Sequence, residues 1–369
     1  MPRKVILQYP ESHFDKNKEF PLQLFPFPSA SEICSLTDSQ IISKYQEHNL
    51  IHTFCPKKKC QNYNCKLVLD FSRSTGGNLK CPVCFDAFPS RPRALKNLKG
   101  NHNFLFQQLY SFCLDHNVRQ SLHFLGLGDS NISKIQYFRK RVQSVIIKGL
   151  KVENKKLGGG VSNPVMTDEL QKGRRRKGNG DQKGHPTIVH GDCVGACDNF
   201  RYRFTMVPKK HPGPPRFEQI EEPLRGFLLP NSTVITDGAK AYIKFQDAYP
   251  ELVTYLIQLN HSGGEWTRRV TVEGERMIAS TNKIDGSWSH VRRFWQNHMV
   301  SQKDSFRYLK QFEFGFGAWA KAQNSIERIL NYMQLDFDIS NINGVQLATR
   351  WKDLSNGKTF FLTFTYLLF

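Results

Sequence analysis

The chain has 369 residues, enough for two or three domains with a substantial core, and sets 52 Lys and Arg against 32 Asp and Glu for a net charge of +20. That excess favours a polyanionic partner, because each neutralised phosphate releases condensed counterions; a generally basic soluble protein is the plainer alternative. The opening MPRKVILQYP lacks the apolar core and cleavage site of a secretory signal, and the closing apolar run FFLTFTYLLF is ten residues, about half a membrane span. A secreted disulfide framework and a membrane span are therefore the classes set aside.

Residues 1–51 are weakly patterned and Pro-rich, with one short helix predicted over LTDSQIISKYQEHNL, capped by Thr37 or Asp38. Five of the nine cysteines then crowd between Cys55 and Cys84. Without a secretory signal, such clustering argues for metal rather than disulfides. Within residues 52–90, Cys60 and Cys65 are separated by four residues and Cys81 and Cys84 by two, with KLVLDF, the turn STGGN and LKC between them. Two cysteine knuckles around a hairpin is the layout of a zinc ribbon, with four thiolates holding Zn²⁺ tetrahedrally. Cys55 competes for one of the ligand positions.

Residues 91–155 read as helical. Leu105, Leu109 and Phe112 fall at helical spacing, then a shorter helix spans about 119–125, and after LGLGDSN the segment ISKIQYFRKRVQSVIIK places Ile135, Phe138, Val142 and Val145 on one stripe. This second stretch also carries Lys134, Arg139, Lys140 and Arg141. A helix-turn-helix entering a major groove and a helical linker with a solvated basic face fit the pattern equally. KLGGGVSNP, residues 156–164, is a Gly-rich joint before the next unit.

From about 160 to 335 the pattern becomes β-β-β-α-β-α-β-α. PVMTDEL is a strand ending near Asp168; a basic loop follows; TIVHGDCV is a second strand, GACDN a turn, and FRYRFTMV a third strand with clean alternation. After a helix, STVIT delivers Asp237; another helix, the strand LVTYLIQLN and a loop lead to a last helix. On that helix Ile284, Trp288, Val291 and Trp295 form one apolar stripe, while Asn282, Asp285, Ser289 and Arg292 align on another face. This order is that of the ribonuclease-H-like fold, an α/β architecture with a mixed sheet. Two carboxylates on strand ends and one on a buried helix can hold two divalent metals for phosphodiester chemistry. Glu169, next to Asp168, is expected to face the other way and to support the site rather than bind metal.

TDE with its Lys/Arg-rich loop, TDGAKAY, LNHS and TNKIDGSWSHVRRF together resemble the Merlin superfamily of DDE transposases and related bacterial insertion-sequence transposases. The resemblance covers roughly residues 35–333, including the cysteine knuckles. It implies a DNA transposase that cuts element ends and joins the 3′-OH to target DNA. Asp168, Asp237 and Asp285 would be its catalytic carboxylates on two Mg²⁺ or Mn²⁺ ions. Where the family has Glu, this chain has Asp285, one methylene shorter; Asn282 is an alternative third ligand, Ser280 replaces a family His, and His261 matches a position near the site.

The partner implied is double-stranded DNA, both element termini and target, bound by at least a dimer. Its phosphates would run past Arg174, Arg175, Arg176, Lys177, Lys183, Arg268, Arg269, Arg292 and Arg293, with Arg201 and Arg203 joining if the outer face of the third strand is open. The location implied is the nucleus in a eukaryote and the cytoplasm otherwise. The runner-up is a catalytically inactive, domesticated DNA-binding derivative. Residues 336–369 show no resemblance and are expected to be an extension.

Overall fold

The computed structural model describes residues 29–338 apart from 62, 71–76, 154, 171–191, 200, 208–215, 302–303 and 317–324. The basic loop bearing Arg174, Arg175, Arg176, Lys177 and Lys183 lies outside the described residues, as does the apolar run at 360–369. Among the described residues no helix is long and apolar enough to cross a membrane.

The first element is α1 (Ala30–Ser35), followed by α2 (Asp38–Glu47). Thr37 caps α2 as expected: its hydroxyl accepts from Gln40 N, and Gln40 Oε1 accepts from Thr37 N at 2.8 Å. Two otherwise orphaned N–H groups are thereby satisfied. The short α3 (Lys58–Gln61) leads into an antiparallel sheet of β1 (Val68–Asp70), β2 (Asn78–Lys80) and β3 (Ala87–Pro89). Two of these strands match the predicted hairpin; β3 was not foreseen.

Next come α4 (His102–Cys113), α5 (Val118–Phe124) and the long α6 (Ile132–Glu153). One face of α6 packs into the core. It buries Ile135, Phe138, Val142, Val145 and Ile146, and with them Arg139, which is only 2 % exposed. The Arg139 guanidinium donates to His116 O at 2.6 Å and lies over the Phe112 ring, so one of the four basic residues of this stretch is an internal brace. Lys134 and Lys140 remain exposed.

A five-stranded mixed sheet follows, built from β4 (Gly160–Leu170), β5 (Asp192–Cys197), β6 (Tyr202–Val207), β7 (Ser232–Asp237) and β8 (Val253–Leu259) in the order β6-β5-β4-β7-β8. The first three strands run antiparallel to one another, while β7 and β8 join β4 in parallel. Parallel neighbours need crossovers: α7 (Phe217–Phe227) and α8 (Lys240–Ala248) provide them and cover one face. The other face takes α9 (Asn282–Asn297), whose predicted stripe of Ile284, Trp288, Val291 and Trp295 is buried.

Two sequence expectations change here. GACDN is not a turn, since Gly195, Ala196 and Cys197 pair within β5. Gly195 is needed for close approach rather than for bending: a Cβ on it would stand 2.7 Å from the Trp288 ring. The predicted loop before α9 is a hairpin, β9 (Thr267–Val272) with β10 (Glu275–Ser280), forming a sheet of its own.

The chain ends, as described, with α10 (Ser305–Gly315) and α11 (Ser325–Asp338). These run back onto the N-terminal helices. Phe314, Ile326, Ile329, Leu330 and Met333 share one buried cluster with Ile41, Tyr45, Leu109, Phe138 and the cysteines Cys60 and Cys81. The helical region and the cysteine segment thus do not form a core of their own.

Candidate functional site

Two groups of side chains among the described residues are placed to hold metal. In the first, the ligand atoms of Cys55, Cys60, Cys81 and Cys84 all lie within 4.8 Å of one another. The sulfurs of Cys55 and Cys84 are 3.6 Å apart and those of Cys60 and Cys81 3.7 Å. Four sulfurs at about 2.3 Å from one tetrahedral ion stand roughly 3.8 Å apart, whereas a disulfide would bring a pair to about 2.05 Å. The quartet can therefore bind a metal such as zinc.

The quartet takes Cys55 where the spacing favoured Cys65. The backbone explains the exchange. Phe54 and Lys66 form an antiparallel bridge, and Cys55 N donates to Cys65 O at 2.9 Å, so the two cysteines sit side by side. The knuckle that turns inward is CPKKKC, closed by α3, and Cys65 is left beside it, buried, with its thiol pushed up chiefly by burial. At Cys81 burial is the largest single influence and acts upward, but hydrogen bonds from the backbone N–H groups of Cys84 and Val83 and from the Cys84 and Cys60 thiols together bring the thiol down to about 6. The thiolate, the form that binds metal, is thus favoured at Cys81 over its neighbours.

The second group is Asp168, Glu169 and Asp237, whose carboxylate oxygens likewise lie within 4.8 Å of one another. Its placement follows from strand register. Met166 pairs with Ile235 in parallel, so Asp168 and Asp237, each two residues further on, come level at neighbouring strand ends. Asp237 Oδ1 accepts from Ala239 N at 3.1 Å, which fixes the start of the crossover into α8. Asp168 Oδ2 accepts from Trp288 Nε1 at 2.7 Å, and the indole lies over Gly195.

Glu169 departs from expectation. It does turn toward the opposite side, where the buried Tyr242 hydroxyl of α8 donates to its Oε1. Yet it stands one residue from the end of β4, and its longer side chain still brings an oxygen to the other two carboxylates. Burial pushes the Glu169 carboxyl up to about 8. Burial and the neighbouring Asp285 push Asp168 up to about 7. Acids held this close resist ionising together, and a bound cation removes that penalty.

Asp285 of α9 stands close enough to Asp168 to share a hydrogen bond with it, but outside the trio. Asn282 is exposed in the first turn of α9, with its N–H on Ser280 Oγ. His261 sits within 3.2 Å of Thr281, directly before that helix. Among the predicted phosphate contacts, Arg269, Arg292 and Arg293 are exposed, and Arg268 is exposed but forked onto Glu265 by two bonds of 2.6 Å. Arg203 is not available: it pairs with the buried Glu313 at 3.2 Å and donates to Lys155 O. Arg201 pairs with Asp198 at 3.4 Å.

Family models, curated proteins and solved structures contain no match to this chain. The chemistry of the site therefore rests on its geometry. Sequence reasoning missed two contributors. Tyr242 was visible only as the Tyr of TDGAKAY, and Gly195 was read as a turn residue because a lone Gly in an apolar run does not say what approaches it.

Proposed function

We propose that this protein is a metal-dependent DNA transposase with a ribonuclease-H-like catalytic unit, cutting element ends and joining the 3′-OH to target DNA. The observation that carries the reading is the meeting of Asp168, Glu169 and Asp237 at neighbouring parallel strand ends, with Asp285 alongside. The strand order β6-β5-β4-β7-β8, with β5 antiparallel to β4, supports it. So do the net charge of +20 and the exposed Arg269, Arg292 and Arg293 nearby in sequence and fold.

The carboxylates supply hard oxygen ligands suited to Mg²⁺ or Mn²⁺. Asp168, Glu169 and Asp237 would hold one ion, and Asp168 with Asp285 a second. Bound there, the ions would activate water and then the 3′-OH, and stabilise the leaving oxygen. The protein's own part is placement. Trp288 fixes the orientation of Asp168, Tyr242 that of Glu169, and the start of α8 that of Asp237. The Cys quartet, loaded with zinc, would hold the N-terminal segment in the shape that recognises element ends.

Mg²⁺- or Mn²⁺-dependent strand transfer, on oligonucleotides copied from the DNA flanking the gene, tests the reading, with Asp237→Asn as control. Joined products that vanish in the variant are expected. Wild-type protein that binds those ends without cutting or joining them would instead mark a domesticated DNA-binding derivative.

A further inference from the structure

Thr281 immediately precedes α9, where a Thr hydroxyl ordinarily accepts from a backbone N–H of the first turn. Here it does not. Its backbone is already helical, at φ −93° and ψ −3°, and its hydroxyl makes no capping bond. The hydroxyl donates instead to Asp285 Oδ2 at 2.8 Å. A hydroxyl has one proton to give, so the second contact, His261 Nε2 at 3.2 Å, is a bond in which the ring N–H donates to Thr281 Oγ1. His261 is itself held by stacking on Trp266, with ring centroids 4.5 Å apart and planes at 28°.

We propose that Thr281, oriented by His261, is the positioning residue that presents Asp285 to Asp168. Thr281 is fully buried, so water cannot replace its hydroxyl once that is lost. With Oδ2 occupied, rotation of the short Asp285 side chain is restricted and Oδ1 is left for the cation site. Residues 261 and 281 also flank the β9–β10 hairpin, so the same two bonds tie the hairpin's base to the acidic cluster. The inference rests on the carboxylates being a cation site, as in the functional reading above.

The test compares full-length, zinc-loaded wild type with Thr281→Val, Thr281→Ser and His261→Phe. Val keeps the volume and loses the donor; Ser keeps the donor; Phe keeps the stacking ring and loses the N–H. Thermal melting verifies that each is folded, and isothermal titration with Mn²⁺ reads the site without any turnover. Losing a hydrogen bond to a charged group predicts about a tenfold weaker Mn²⁺ affinity in Thr281→Val, near wild-type affinity in Thr281→Ser, and an intermediate loss in His261→Phe.

Equal Mn²⁺ affinity in wild type and Thr281→Val overturns the proposal, as does a Thr281→Ser as weak as Thr281→Val. Wild type that takes up Mn²⁺ in this pattern but joins no DNA leaves the positioning role standing and removes the transposase reading. If wild type takes up no Mn²⁺ at all, crystal structures of wild type and Thr281→Val decide. The proposal then requires the Asp285 carboxylate to turn away from Asp168 in the variant, and it fails if the carboxylate stays.

Discussion

Asp168 and Glu169 are adjacent acids that both hold their protons more tightly in the folded chain than in the unfolded one. Burial is the leading cause for each, with Asp285 adding to it at Asp168, and they are pushed up to about 7 and about 8. The sign of the linkage follows. The folded state binds more protons, so this contribution to stability is intact below the ordinary carboxylate range and is lost as pH rises through about 7 and 8. Zinc-loaded protein without added Mg²⁺ or Mn²⁺ should melt at lower temperature at pH 9 than at pH 5, by about 2–4 °C for each kcal/mol lost. Added Mn²⁺ should recover most of the difference, and Glu169→Gln should flatten the metal-free curve. A melting temperature that is flat or rises across this range would show that the carboxylates are not held together as described.

At the scale of elements, the cysteine segment makes the sharpest statement. Strands of three residues, as β1, β2 and β3 are, cannot sustain a fold by their own pairing. The four sulfurs are what closes the segment, so metal binding and folding should be one event. Metal analysis of purified protein should give one zinc per chain. Cys55→Ser should lose it, while Cys65→Ser should keep it because that thiol stands outside the quartet. A chelator should remove the zinc and with it the protease resistance of residues 52–90. Zinc retained in Cys55→Ser but lost in Cys65→Ser would restore the assignment that spacing favoured. The β9–β10 hairpin belongs to the same scale. Its outward residues Arg269, Arg276 and Ile278 are exposed, while Val272 and Ala279 pack inward.

Across the whole molecule, α10 ties the sheet to the N-terminal helices, and α11 packs on α6 beside it. Glu313 of α10 accepts from Phe204 N at the sheet edge and from Lys310, while Gln311 accepts from Gln143 of α6. Arg328 of α11 pairs with Glu153 at the end of α6 at 3.0 Å, its side chain 5 % exposed and that of Glu153 10 %. Removing one partner of such a pair strands a buried charge and costs about 3–5 kcal/mol. Arg328→Ala should therefore lower the free energy of unfolding, read from denaturant titration, by that amount, and loosen the N-terminal helices together with α11. A change under about 1 kcal/mol would mean that the pair is solvated, as surface pairs are.

Periodicity and strand-end placement made much of this legible in the residues alone. The order of elements from β4 to β8, the buried stripe of α9, the Thr37 cap and the strand-end positions of Asp168 and Asp237 follow from local pattern. Each depends on contacts close in sequence or on repeats of 2.0 and 3.6 residues, which a single chain displays, whereas the meeting of the two aspartates needed the β4–β7 register. Other features depend on what a distant segment brings. Arg139 is buried because His116, His298 and Tyr308 of α10 close over it, and Gly195 is a seat for an indole nearly a hundred residues away. Cys55 displaces Cys65 through a backbone bridge, and Glu169 joins the acidic group because β7 ends beside it. Composition and pattern determined which elements form and which face of each is apolar. Only packing decided which polar groups would meet, because that depends on the paths of chains far apart in sequence and on the space left between them.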